Sequence, residues 1–96
     1  MASSKTYLDF LLEQLAGVPG VTHRAMMGEY LLYVQGKLVG GIYDDRLLVK
    51  PTGAALKRLP DAPRELPYAG AKAMLLVEEV EDRAFLTELF LAMGEE

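Results

Sequence analysis

The chain has no cysteine, no tryptophan, a single histidine and no apolar run that approaches a membrane span. Without cysteine there are no disulfides, thiolate metal ligands or thiol nucleophiles, and a reducing cytoplasm is the expected compartment. A bilayer span needs roughly 18 consecutive apolar residues, so no membrane association is expected. The first residues, MASSKTYLDF, lack a charged region followed by an apolar block and do not read as a signal peptide. His23 has neither a second histidine nor a carboxylate pair at ligand spacing, so no metal site is expected. The hydroxyls of Ser3, Ser4, Thr6, Thr22, Thr52 and Thr87 form no recognisable nucleophile and base arrangement with it. Gly40-Gly41 is not followed by a helix start, so it lacks the free amides and dipole of a phosphate loop. No cofactor motif is present, and a non-enzymatic protein is expected.

Excess positive charge is also absent: the net charge is −4, which weighs against non-specific binding to phosphate backbones. The charges are nevertheless segregated. Residues 1–45 carry three basic and five acidic side chains, residues 46–72 six basic and two acidic, and residues 73–96 one basic and seven acidic. Such blocks are either ordinary solvated faces or complementary surfaces for a partner or a second copy.

What is present is the composition of one globular domain covering residues 1–96, with 51% hydrophobic and 25% charged residues. A chain of this length buries roughly 60–70% of its unfolded surface, enough for one modest core. After the cap candidates Ser3 and Ser4, Leu8, Leu11, Leu12 and Leu15 repeat at helical spacing. Gly17 stands where a left-handed residue would end that helix, and Pro19 follows. Val21 to Met26 reads as a short strand leading into Gly28. Glu29 to Val34, Lys37 to Tyr43 and Arg46 to Lys50 read as strands joined by the two-residue loops Gln35-Gly36 and Asp44-Asp45, which makes a meander. Alternation sets Tyr30, Leu32 and Val34 on one face and Leu31, Tyr33 and Gln35 on the other. Both faces are therefore apolar, and helices over one face with partial cover, or a second subunit, over the other are expected. Of the adjacent Met26 and Met27, one is expected in the core and one on an adaptable surface.

Pro51 to Leu59 reads as a short helix capped by Thr52, and residues 60–70, with three prolines, as an irregular exposed loop. Residues 73–78 read as a further strand, and Asp82 caps a last helix with Phe85, Leu86, Leu89, Phe90 and Met93 on one face and Gly94 at its end. The order α-β-β-β-β-α-β-α gives the fold class: an α+β two-layer domain with one antiparallel meander sheet and helices packed mainly on one face.

The stretch from Arg24 to Lys50, RAMMGEYLLYVQGKLVGGIYDDRLLVK, resembles the N-terminal domain of the TfoX/Sxy family of bacterial competence regulators. The likeness rests on Met27, Gly28, Glu29 and Tyr30, on Gly36, on Gly40-Gly41 followed by Tyr43, Asp44, Asp45 and Arg46, and on Lys50. It extends weakly to the leading helix, to Leu66-Pro67-Tyr68 and to the last helix. The resemblance implies an α+β domain with an antiparallel sheet and a role in regulating transcription linked to DNA uptake, exerted through other proteins. The full regulators carry a second, C-terminal domain, and 96 residues leave no room for one, so a stand-alone N-terminal domain is implied.

The same residues have plain structural readings. Asp44-Asp45 with Arg46 is an acid pair with an orienting cation or, more simply, a hairpin tip. Gly40-Gly41 marks a bulge or a close backbone approach, met by internal packing or by a ligand or partner. Gly28-Glu29 reads first as a turn or bulge entering the sheet. Three functions follow. The leading one is a regulatory protein-interaction module that uses a sheet edge or open sheet face, with homodimerisation covering the second apolar face. The alternative is direct nucleic-acid binding by Tyr30, Tyr33 and Tyr43 with Arg46, Lys50, Lys57 and Arg58 of the basic 46–72 segment. The third is a small-ligand carrier or enzyme using a pocket near Gly40-Gly41 and the 60–70 loop.

Overall fold

A computed structural model describes residues 3–96; the first two residues of the stretch read for a leader lie outside it. The elements are α1 (Lys5–Gln14), β1 (Val21–Met26), β2 (Glu29–Val34), β3 (Lys37–Tyr43), β4 (Arg46–Val49), α2 (Gly53–Arg58), β5 (Arg64–Glu65), β6 (Met74–Val77) and α3 (Arg83–Gly94). One antiparallel sheet runs in the order β1-β2-β3-β4-β6-β5. The expected order of helices and strands is present, and the expected three-strand meander is extended to four by β1. The addition is β5, a two-residue strand inside the segment read as irregular, which pairs with β6 through Arg64↔Leu75 and Glu65↔Met74.

Three two-residue turns set the meander. Met27-Gly28, Gln35-Gly36 and Asp44-Asp45 all have positive φ at both residues. That is the backbone whose twist matches the flanking strands. Met27 is therefore a turn residue at the tip of the first hairpin, 96% exposed, and Met26 is also exposed. Neither methionine enters the core, because pairing with Glu29 sets Met26 on the sheet face away from the helices and the turn throws Met27 into solvent.

Register fixes the two faces. Leu32 and Val34 of β2, Ile42 of β3, Leu47 and Val49 of β4, and Leu75 and Val77 of β6 all point to the helical side and are buried. Leu8, Leu11 and Leu15 of the first helical segment, Ala55 and Leu59 around α2, and Leu86, Leu89, Phe90 and Met93 of α3 close over them. Full burial of each such side chain contributes about 1.5–3 kcal/mol, which makes this layer the source of stability. Ser4 caps α1 through Tyr7 N–H, Thr52 caps α2 through Ala55 N–H, and Asp82 caps α3 through Phe85 N–H. Gly17 does not take the left-handed conformation expected of it; that role falls to Gly20, at φ 79°. Gly94 is the last residue of α3, and its missing Cβ lets the helix lie against Val34, whose Cγ1 would be 2.6 Å away.

The chain end returns to α2. A Glu96 carboxylate oxygen accepts from Ala54 N–H at 3.0 Å, and Lys37 donates to the Glu96 backbone oxygen. The Thr52 hydroxyl and then the Ala54 amide hold the Glu96 carboxyl below its ordinary value of 4.5, with Lys37 and Arg58 adding to the effect. A depressed carboxylate contributes stability above its unfolded pKa and loses it as pH falls through the lower folded value. In an acid titration followed by NMR, the Ala54 amide should therefore move with a midpoint below 4.5. A midpoint at or above 4.5 would contradict this docking.

Candidate interaction surfaces

Most of the residues singled out by sequence separate into two clusters, with Met27 and Tyr30 outside both. The first is a polar latch at one end of the sheet. Glu29, at the start of β2, accepts from Ser3 N–H at 2.8 Å and the Ser3 hydroxyl at 3.0 Å through one oxygen, and from Asp44 N–H at 2.9 Å through the other. The Ser3 hydroxyl accepts from Asp45 N–H at 3.1 Å, and Ser3 N–H also reaches Gly28 O at 3.0 Å. Asp45 in turn accepts from Ser4 N–H at 2.8 Å. The N-terminal segment is thus fastened between two hairpin turns. Asp44 and Asp45 are turn residues and latch residues, which answers the acid-pair reading with a structural role. No group of three or more His, Asp or Glu side chains among the described residues is arranged to hold a metal ion.

The second cluster lies on the sheet face away from the helices. Register brings Leu31, Gly41, Tyr43, Arg46, Leu48 and Met74 to this side. A Cβ on Gly41 would stand 2.7 Å from Tyr30 O and 2.8 Å from the Tyr43 ring, so the bare glycine lets that ring fold back over the sheet. Leu48 is fully buried and Tyr43 nearly so, although neither belongs to the helical core. Their cover is the chain's own 66–73 segment. Arg46 fixes its start by pairing with Glu65 and donating to Leu66 O at 3.4 Å, and Pro67 is buried beneath it. Tyr68 then approaches Tyr43 with ring centroids 6.4 Å apart. Self-coverage by a proline-rich loop was not foreseen; the apolar triplet Leu66-Pro67-Tyr68 within a polar stretch was the available signal.

The cover is incomplete. A cavity of about 360 Å³ remains between the loop and the sheet, walled by Leu38, Tyr43, Pro51, Pro67, Tyr68 and Met74, floored in part by Gly40 and rimmed by Lys50 and Lys72. Burial pushes the Tyr43 phenol above its ordinary value, and the Tyr68, Glu29 and Tyr33 side chains push it in the same direction. Tyr43 therefore stays protonated at neutral pH and presents an apolar ring with a neutral hydroxyl.

The tyrosines do not form one platform. Tyr30 packs against the helical core and meets His23 edge-on at 6.2 Å, whereas Tyr43 lies on the opposite face under Tyr68. Of the four cations grouped with them, Arg46 is engaged with Glu65 of its own basic segment and Arg58 with Glu88 of the acidic one at 3.3 Å, so the basic and acidic blocks of one chain meet at the second pair. Met27 belongs to neither cluster and projects from the first hairpin.

The edges of the sheet are unequal. β5 closes one with two residues, while β1 leaves six at the other, of which Thr22 to Met26 are all exposed. Natural sheets guard such edges with cover, proline, bulges or charge. β1 has only Arg24 and His23.

A six-stranded antiparallel sheet with three helices on one face, latched at one end and partly roofed on the other side, defines a two-layer α+β domain. The chain belongs to the family of the TfoX N-terminal domain, whose model matches residues 13–87. It is 36% identical over 84 residues to an "uncharacterized 12.7 kDa protein in trpE 5′ region" of Spirochaeta aurantia, a match covering 88% of this chain and 73% of that protein. No solved structure matches. Glu29, Asp44, Asp45 and the groove residues fall inside the family match, while Ser3 and Ser4 lie outside it. Among the described residues no helix is long and apolar enough to cross a membrane.

Proposed function

We propose that this protein is a cytoplasmic, non-catalytic interaction module of the competence-regulator kind that takes an extended segment of a partner protein onto β1. The observation that carries this reading is the open β1 edge: six residues, about 20 Å of strand at 3.3 Å per residue, with no proline or bulge and, among the described residues, no covering segment. An incoming strand would gain main-chain hydrogen bonds there, and side chains on alternate positions would set specificity. β1 carries Arg24 and no carboxylate, so the complementary segment bears an acidic residue. A second copy brings no such charge, because antiparallel pairing of β1 with itself sets Arg24 of each copy against His23 of the other.

Successive residues of a strand send their N–H groups alternately toward the neighbouring strand and away from it. Of the variants Thr22→Pro and His23→Pro, one removes a bond to β2 and the other removes only an outward donor. The outward variant should keep the parent's thermal stability and lose the nuclease-resistant protein that tagged parent retains from its own lysate. Retention of that partner by both folded variants would sink the reading. A dimer in light scattering that dissociates in the outward variant would assign the edge to self-association instead.

A further inference from the structure

The cavity under the 66–73 segment is independent of the β1 edge, and its chemistry points elsewhere. Its walls are two phenol rings, Leu38 and Met74, with prolines at either end, and its charged residues are Lys50 and Lys72 alone. Three other concavities among the described residues differ in this respect. The one along α3 balances Arg58 and Arg83 with Glu88 and Glu95; that beside Pro60 sets Arg58 against Asp61, Glu78 and Glu79; that beside Pro19 has only Glu95. A compact apolar slot with two cations and no carboxylate is complementary to one kind of molecule: a flat apolar body with an anionic end. Its volume of about 360 Å³ falls at the lower end of the range for small-molecule sites, about 300–1,000 Å³.

We infer that this cavity is a binding site for a small aromatic carboxylate, its ring held between Leu38, Tyr43, Tyr68 and Met74 and its anionic end at Lys50 and Lys72. A peptide is the poorer occupant. β4 lies between β3 and β6, and β6 between β4 and β5, so the floor offers no free strand edge to a second backbone. The site also gives Gly41 a purpose, since the ring of Tyr43 forms a wall only by lying over that bare position.

The test is an amide NMR titration of the whole chain with 2-naphthoate, its neutral analogue 2-naphthamide, and inorganic phosphate. The acid should move the amides of Leu38, Tyr43, Tyr68 and Met74 to saturation, and the neutral analogue should do so about tenfold more weakly, as expected for the loss of two exposed ion pairs. Lys50→Gln with Lys72→Gln, both at exposed positions, should weaken the acid by a similar factor and leave the amide's affinity unchanged. The inference is overturned if neither naphthalene compound gives saturable shifts at those amides, if acid and amide bind alike, or if phosphate alone reproduces the pattern. It is also overturned if the same amides move on dilution, which would make the groove an interface between copies. Displacement of 2-naphthoate by a tighter-binding acidic, aromatic hexapeptide would hand the groove to a protein partner and overturn it as well.

Discussion

Gly40→Ala is expected to destabilise the domain by about 3 kcal/mol, at the upper end of the usual cost of inserting a methyl group into packed structure. The added Cβ would meet the carbonyl oxygen of Leu48 and stand 2.8 Å from Val49 Cα. Both obstacles are backbone atoms of the adjacent strand, so no rotamer change relieves the clash. Gly40 occupies this tight place because Val39 is an extra residue in β3: Leu32 pairs with Gly40 and Tyr33 with Leu38. The bulge sends Val39 into the core, turns Leu38 to the groove side and draws Gly40 down onto β4. Relief therefore requires β4 to move or the bulge to dissolve, and either change disturbs both layers. For a domain of this length the loss corresponds to a fall in melting temperature of roughly 15 °C. Gly17→Ala is the control, since its Cβ would meet nothing closer than 3.8 Å and its backbone is not left-handed. It should change stability by less than about 0.5 kcal/mol. Unfolding free energies from urea titration that differ by less than about 1 kcal/mol between the two variants would refute the account.

The positions of the elements were legible because each carries a local signal. Helical spacing of Leu8, Leu11 and Leu15, alternation in β2, and Gln35-Gly36 and Asp44-Asp45 as turn residues determine most of the observed topology. What escaped depends on distance in sequence. β5 has only two residues and exists because β6 offers it an edge; nothing in Arg64-Glu65 itself favours a strand. Gly17, expected to be left-handed at the end of the first helix, is not; Gly20 is, and its carbonyl accepts from Gln35 N–H at 2.9 Å, a contact no local pattern reveals. The candidate residues form one series in the sequence, and the fold parts most of them between the latch and the groove. Glu29 and Asp44 lie 15 residues apart and are joined through a backbone bond, while Ser3 reaches Glu29 across 26 positions. The second apolar face was correctly expected to need cover, and its roof came from the prolines that had marked the segment as loop.

Glu29→Ala is expected to cost about 2 kcal/mol, the effect of removing a charged acceptor from several hydrogen bonds. The carboxylate receives three donors, from Ser3 N–H, the Ser3 hydroxyl and Asp44 N–H, and without it the N-terminal segment keeps only its bonds to Gly28, Ile42 and Asp45. Ser3→Ala should cost about 1 kcal/mol, because its hydroxyl is one of those donors and also contacts Ile42 O at 3.2 Å and Asp45 N–H. The two changes share the bond between the Ser3 hydroxyl and Glu29, so the double variant should fall short of their sum by about 0.5 kcal/mol. Additivity within about 0.3 kcal/mol would show that Glu29 and Ser3 act separately and that the latch is not a unit. The same variants test what Met27-Gly28-Glu29-Tyr30 is for. If the glutamate fastens turns and does not meet the partner, Glu29→Ala at a temperature where it is fully folded should capture the partner as the parent does, while the outward proline in β1 does not. Loss of capture by folded Glu29→Ala would move the interaction surface from the strand edge to the latched end of the sheet.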